Sequence, residues 1–384
     1  MKFLHKSKSG ANSIVLDDMI LTKDMPTTAG SKMLENYMSL FDATVVEKLA
    51  EKGYDIAGKA NVGEFSLDFL GETSYFAKEE LKSAICEIIK EKDAKAGISL
   101  EVNGSNVRGA ALSNLNFLKP TYAVVSRFGT IPAACSGETV GITAENAETL
   151  KEIYEVIAGH DTKDGTSLPE EMIAEAKTSK SIKKIAVMTA FLENVSDEVK
   201  ALIEAFKAKT DVEFTEISDT DLLLAKPAWN TLLSAELCNN VSKYDGVKYG
   251  YRTPNYTSLD ELYTNSRTEA FGYLTKSTIL YGSETLSDEN YMKVYDKALR
   301  IRRILSEYME NIFKSYDLIL LPAVSKTEYT LEEAKNNPYL AYDESLFTAP
   351  AMITGNPVVV TNGVQLIGNK LSDMSMIDFL KEVE

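Results

Sequence analysis

Short runs that are apolar at nearly every position, alternating with amphipathic stretches of helical period, constrain this chain more than any other feature. A short strand apolar on both faces has to be covered on both faces. Residues 185–188 (Ile-Ala-Val-Met) are such a run, and 317–321 form another, stopped by Pro322. In 43–52, Val45, Val46 and Leu49 recur on one helical face, with Asp42 placed to cap the start and Gly53 to end it. A strand over 56–60 leaves that turn. Residues 146–157 read as a helix closed by Gly159, and Ser196 is placed to cap a helix running to Lys209. Residues 212–217 then alternate as a half-buried strand should, and 293–313 form a long amphipathic helix feeding the 317–321 strand. This is α/β patterning. No repeat or low-complexity tract interrupts it, so one domain over 1–384 is expected, with 161–184 as a surface linker inside it.

Composition narrows the function classes. The 384 residues carry 57 acidic and 41 basic side chains, a net charge of −16, without a basic run. Clustered cations are needed to displace counterions from phosphates, so no direct nucleic-acid binding is expected. Cys86, Cys135 and Cys238 are isolated from one another and from His5 and His160. That spacing suits a reducing cytoplasm and suggests neither a metal site nor a bound cofactor. The N-terminal stretch turns polar at once, and no apolar run approaches the roughly 18 residues of a membrane span, so neither a signal peptide nor a membrane location is expected.

Asn103-Gly104-Ser105, fourteen residues before Lys119-Pro120-Thr121-Tyr122, puts a serine in a glycine-containing turn. Such a serine can be an acyl-transfer nucleophile, although its hydroxyl attacks poorly until a neighbouring base accepts the proton. Residues 27–36 (Thr-Thr-Ala-Gly-Ser-Lys-Met-Leu-Glu-Asn), 42–49, 58–61 (Gly-Lys-Ala-Asn), 158–161, 244–250 (Tyr-Asp-Gly-Val-Lys-Tyr-Gly) and 364–368 frame it. In these segments and their order the chain resembles the amidase signature family, and within it the branch of glutamine-hydrolysing A subunits of tRNA-dependent amidotransferases. The resemblance implies a mixed, twisted β-sheet covered by helices on both faces, here trimmed at the N-terminus and near the C-terminus. It implies a serine nucleophile, a second serine in a cis peptide as relay, a neutral lysine as base, and backbone N–H groups just before the nucleophile that hold the oxyanion. Partner amidotransferase subunits that receive the ammonia, and a small amide or amino-acid ligand, are implied as well.

Ser105 falls at the nucleophile position, but the chain departs from the family around it. Asp17, in Leu16-Asp17-Asp18-Met19-Ile20, stands where the family has its lysine. The relay serine belongs in a Gly/Ser-rich loop, whereas residues 77–89 contain no glycine, and 79–92 have helical propensity, making Ser83 a helix serine. Asn103 and Gly104 replace a pair of glycines, and Arg108 is displaced by one position. Ser277 and Thr278 stand in place of the arginines expected to bind a substrate carboxylate, and Ser345, ahead of Pro350, in place of an aspartate for the amino group. Tyr244 is the retained residue placed near the old pocket, and Lys276 could attract an anion only as a flexible point charge. Asp17-Asp18 reads as a solvated or capping pair rather than a metal pair, and His160 and Asp161 as structural. The expected function is therefore that of a catalytically inactive paralogue acting through partner or ligand binding. The competing expectation is an amidase using Ser105 with a rearranged base.

Overall fold

The computed structural model describes residues 2–7, 10, 12–77 and 81–384. One sheet contains β1 (Phe3–Lys6), β2 (Ser13–Asp17), β3 (Asp55–Ala60), β4 (Ala96–Glu101), β5 (Asn116–Lys119), β6 (Thr139–Ala144), β7 (Lys184–Met188), β8 (Glu213–Ile217), β9 (Leu318–Pro322), β10 (Val358–Thr361) and β11 (Val364–Gly368). Their order across it is β1-β3-β2-β4-β6-β5-β10-β11-β9-β7-β8. Parallel pairs need crossovers. Helix Thr44–Glu51 lies between β2 and β3 in the chain, and helix Asp197–Lys207 between β7 and β8. The centre of the sheet is mixed, with β4, β6, β5, β10, β11 and β9 successively antiparallel. Strands β2, β4, β5, β6, β9, β10 and β11 are buried at every residue, as a sheet covered by helices on both faces requires. The β10–β11 connection is only Asn362-Gly363, both at positive φ (49° and 76°), which is hairpin geometry.

Local signals mostly hold. Asn146 caps Ala147–Ile157 by accepting from the Thr149 N–H at 2.8 Å, and Ser196 caps Asp197–Lys207. Asp42 does not cap its helix: Ala43 occupies that position, and the Asp42 carboxylate accepts from the Lys23 N–H at 2.8 Å instead. Stretch 161–184 is no bare linker. It holds helix Glu170–Ala176, whose Ile173 and Ala176 are buried, and Asp161 accepts hydrogen bonds from Thr44 and Ser126, both at 2.6 Å. The 293–313 segment is a π-turn, Tyr291–Tyr295, continued by α-helix Asp296–Ile312. No described helix is long and apolar enough to cross a membrane. The parallel strands β2 and β4 end on the same side of the sheet, at Asp17 and Glu101. This brings the two sequence-predicted segments together.

Candidate active site

Ser105 opens helix Ser105–Ser113 immediately after the β4 turn. The left-handed residue of that turn is Gly104, at φ 89°, rather than Asn103. A Cβ on Gly104 would lie 2.4 Å from Thr348 Oγ1 and 2.6 Å from Arg108 Nη1, so both its conformation and its surroundings demand glycine. The buried Glu101 carboxylate accepts from the N–H groups of Asn106 (3.0 Å), Val107 (3.2 Å) and Gly104. It thereby occupies the anion-attracting helix start. Burial pushes its pKa up, against the pull of Arg108. Arg108, itself fully buried, donates to the carbonyls of Phe69 (3.2 Å), Asn103 (2.9 Å) and Asp68 (3.0 Å), clamping the turn to residues 68 and 69.

The hydroxyls of Ser105 and Ser66 lie 3.1 Å apart, and either can donate. Ser66 reaches there because Phe65 and Ser66 both adopt positive φ (54° and 56°), held by Phe65 N–H to Ala29 O (2.9 Å) and Ser66 N–H to Gly63 O (2.8 Å). Asp17 is buried, not solvated: its two carboxylate oxygens accept from the N–H groups of Met19 (3.0 Å) and Leu100 (2.7 Å), and burial pushes its pKa up to about 7. Asp18 is equally buried, pushed up to about 6 mainly by desolvation, and accepts from the Thr28 N–H at 2.8 Å. Ser83 caps helix Ala84–Lys90, accepting from the Cys86 N–H at 3.5 Å, and so stands at the helix start rather than within it. Lys78, Glu79 and Glu80, part of the glycine-free stretch, lie outside the described residues. Asp17, Ser83, Ser105, Asn106 and Asp68 share a cavity of about 30 Å³, room for about one water. Lys59 does not line it. Its ammonium, pulled down to about 8 by burial, donates to Thr27 Oγ1 at 3.0 Å and lies 3.9 Å from Asp18.

On the other side of the turn, Asn103, Ser277 and Thr278 line a cavity of about 330 Å³ together with Tyr273, Tyr281 and Tyr342. Among the described residues no charged side chain lines it. Ser277 and Thr278 donate back to their own helix, to Tyr273 O and Leu274 O, each at 2.8 Å. Ser345 is buried beneath, donating to Tyr342 O (2.7 Å) and accepting from Asn230 Nδ2 (2.9 Å). Asn103 Nδ2 donates to Leu67 O at 3.1 Å, while its Oδ1 is buried without a partner among the described residues. Lys276 donates to Thr268 O at 3.3 Å and does not line the cavity. Nor does Tyr244. It faces a separate cavity, its ring 6.2 Å from that of Phe65, the residue before Ser66.

Sequence reasoning missed Ser66, Glu101 and Glu64. Glu64 is buried and accepts from Ser31 Oγ (2.6 Å), the Gly272 N–H (2.8 Å) and Thr275 Oγ1 (2.5 Å), tying the Ser66 turn to helix Tyr273–Thr285. An acid just before the turn was the available signal for Glu101. Ser66 had none, since its position depends on two left-handed residues that are not glycine.

A family model described as Amidase matches residues 13–79 and 92–376, breaking across the segment where the glycine-rich loop was expected. The A subunit of glutamyl-tRNA(Gln) amidotransferase from Saccharolobus solfataricus is 34% identical, aligned over 97% of this chain and 83% of its own. Its counterpart in a Streptococcus agalactiae strain is 32% identical over 94% and 79%. The crystal structure of the Thermotoga maritima A subunit of glutamyl-tRNA(Gln) amidotransferase superimposes with a TM-score of 0.76 at 26% identity, covering 98% of this chain and 85% of that one. Peptide amidase from Stenotrophomonas maltophilia shares the fold at a TM-score of 0.73 and 19% identity, covering 97% and 82%.

Proposed function

As this chain belongs to the Amidase family, we propose that it is a paralogue of the amidotransferase A subunits that no longer hydrolyses amides and acts by binding partner subunits and a small amide. The observation that carries this reading is the state of Asp17. The group at the base position is a carboxylic acid with both oxygens engaged by backbone N–H groups, and no described hydrogen bond joins it to Ser105. A nucleophile whose hydrogen-bond neighbour is another hydroxyl, with no base bonded to it among the described residues, stays a hydroxyl. The Gly104 N–H, next to the oxyanion position, is taken by Glu101. For the ligand, the uncharged lining around Asn103 favours a neutral amide over a zwitterionic amino acid, with the free Asn103 Oδ1 accepting an amide N–H. Partner subunits are proposed from the relatives, which are themselves subunits of a larger enzyme. The unpaired Cys86, Cys135 and Cys238 suit a reducing, cytoplasmic setting.

The test is ammonia release from glutamine, acetamide and benzamide by the purified chain and its Ser105→Ala variant. The expected result is the same background for both proteins. Release that depends on Ser105 would sink the proposal. The 3.1 Å contact between Ser66 and Ser105 favours one second reading, an amidase in which Ser66 relays the proton. That reading requires measurable release that falls by about 100-fold in Ser66→Ala.

A further inference from the structure

The cavity that Tyr244 faces has a volume of about 810 Å³, and none of the residues around Ser105 lines it. Its walls are two segments pinned together. The Tyr251 N–H donates to Met33 O at 2.8 Å, and Gly250, at φ 85°, lets the backbone close on Met33, whose Sδ would lie 2.3 Å from a Cβ there. Residues 245–249 are fixed in turn: Asp245 accepts from the Val247 (2.8 Å) and Lys248 (3.2 Å) N–H groups, and the Gly246 N–H donates to Tyr249 O at 3.1 Å. The cavity is therefore preformed, and its size is that of a small-molecule site.

Its chemistry has two parts. Met33, Leu34, Ile131 and Tyr244 give a buried, apolar floor, and the exposed rings of Tyr37 and Tyr249 stand at its sides. Lys243, Lys248 and Arg252 stand exposed at its edge, opposed among the lining residues only by Glu35. None of these three cations forms an ion pair with a described residue: Arg252 donates to Tyr256 OH at 2.9 Å, and Lys243 lies over the Tyr244 ring. Elsewhere lysines are commonly paired, as Lys95 is with Glu152 and Lys326 with Glu333. Unpaired cations gathered at one cavity of a chain of net charge −16 make a local field that attracts anions against the global one.

We propose that this cavity binds a small anion with a planar aromatic body and a phosphate or comparable acidic group. The ring would stack among the tyrosines and the acid would meet Lys248 and Arg252, the guanidinium suited to a forked contact with phosphate. The class has two sources, simple aryl phosphates and nucleotides, which differ in whether a sugar must also fit.

Calorimetric titration of the full chain with phenyl phosphate, AMP, adenosine and inorganic phosphate tests this. Phenyl phosphate or AMP is expected to saturate with Kd below about 1 mM, with adenosine and phosphate each at least about tenfold weaker. Tighter phenyl phosphate would assign the aryl phosphates, and tighter AMP the nucleotides. The Lys248→Gln/Arg252→Gln double variant, altered only at exposed side chains, is expected to melt like the parent and to bind at least about tenfold more weakly. The inference is overturned if neither probe saturates, if adenosine binds as well as AMP, or if the double variant binds like the parent.

Discussion

The cavities beside Ser105 and beside Tyr244 are built from inherited segments of similar kind, yet their polar groups are in opposite states. Around Ser105 the polar groups are mostly engaged by the protein itself: Asp17 by two backbone N–H groups, Glu101 by three, Arg108 by three carbonyls. The remaining space is about 30 Å³. Around Tyr244 the space is about 810 Å³ and the cations pair with no described carboxylate. In the Asn103-Gly104-Ser105 turn, Asn103 Oδ1 is left without a partner among the described residues, but most of the polar groups there serve to hold the turn. What a site can still do is read from the groups left unengaged, not from how well its residues match a pattern.

Four measurements test how sharply that contrast is drawn. The largest effect is expected from Gly104→Ala, which combines a left-handed residue with contacts under 3 Å and should cost about 3 kcal/mol or more in chemical denaturation. A cost below about 1 kcal/mol would mean that the Ser105 turn is not fixed as described. Asp17→Asn comes next. Burial raises the Asp17 pKa from 3.8 to about 7, so between those values the folded state holds a proton that the unfolded chain has released. This group's contribution is full below about pH 4 and is lost as pH rises to about 7. Relative to wild type, the asparagine variant should therefore gain about 4 kcal/mol across that window, and a pH-independent difference would refute the burial argument. Ser66→Gly is smaller: removing a positive-φ side chain should stabilise by about 1 kcal/mol, less the lost Ser105 contact. A loss of stability instead would show that the serine pair contributes more than its strain costs. The smallest is Ser105→Ala, for which ammonia release should not change at all.

The α/β class, the strand runs and the Asn146 and Ser196 caps were readable because each depends on residues a few positions apart. Asp17 was placed at the base position by resemblance alone, and its burial was not readable, since that depends on packing around the ends of β2 and β4. Helix Glu170–Ala176 escaped notice because seven residues with only Ile173 and Ala176 buried give little period amid polar neighbours. That Tyr244 lines a cavity apart from Ser105 was not readable, because a matched segment fixes where the chain passes but not which cavity its side chains meet. Ser66 lay furthest from view: φ values of 54° and 56° at Phe65 and Ser66 are unusual for such residues, and only the fold holds them there.

Helix Ala84–Lys90 acts as a ratchet. It buries Ala84, Ile85, Cys86, Ile88 and Ile89, and Gly97 of β4 leaves room for it, since a Cβ there would lie 2.3 Å from Ile85 Cγ2. Exchanging this segment for a glycine-rich loop would strip apolar cover from the strand that ends at the Ser105 turn. Replacing Asp17 by lysine, meanwhile, would forfeit the bonds from the Met19 and Leu100 N–H groups at a position where burial disfavours charge. Each change toward the family's pattern is opposed on its own by stability, so the loop, the lysine and Gly97's neighbours would have to be changed in one move.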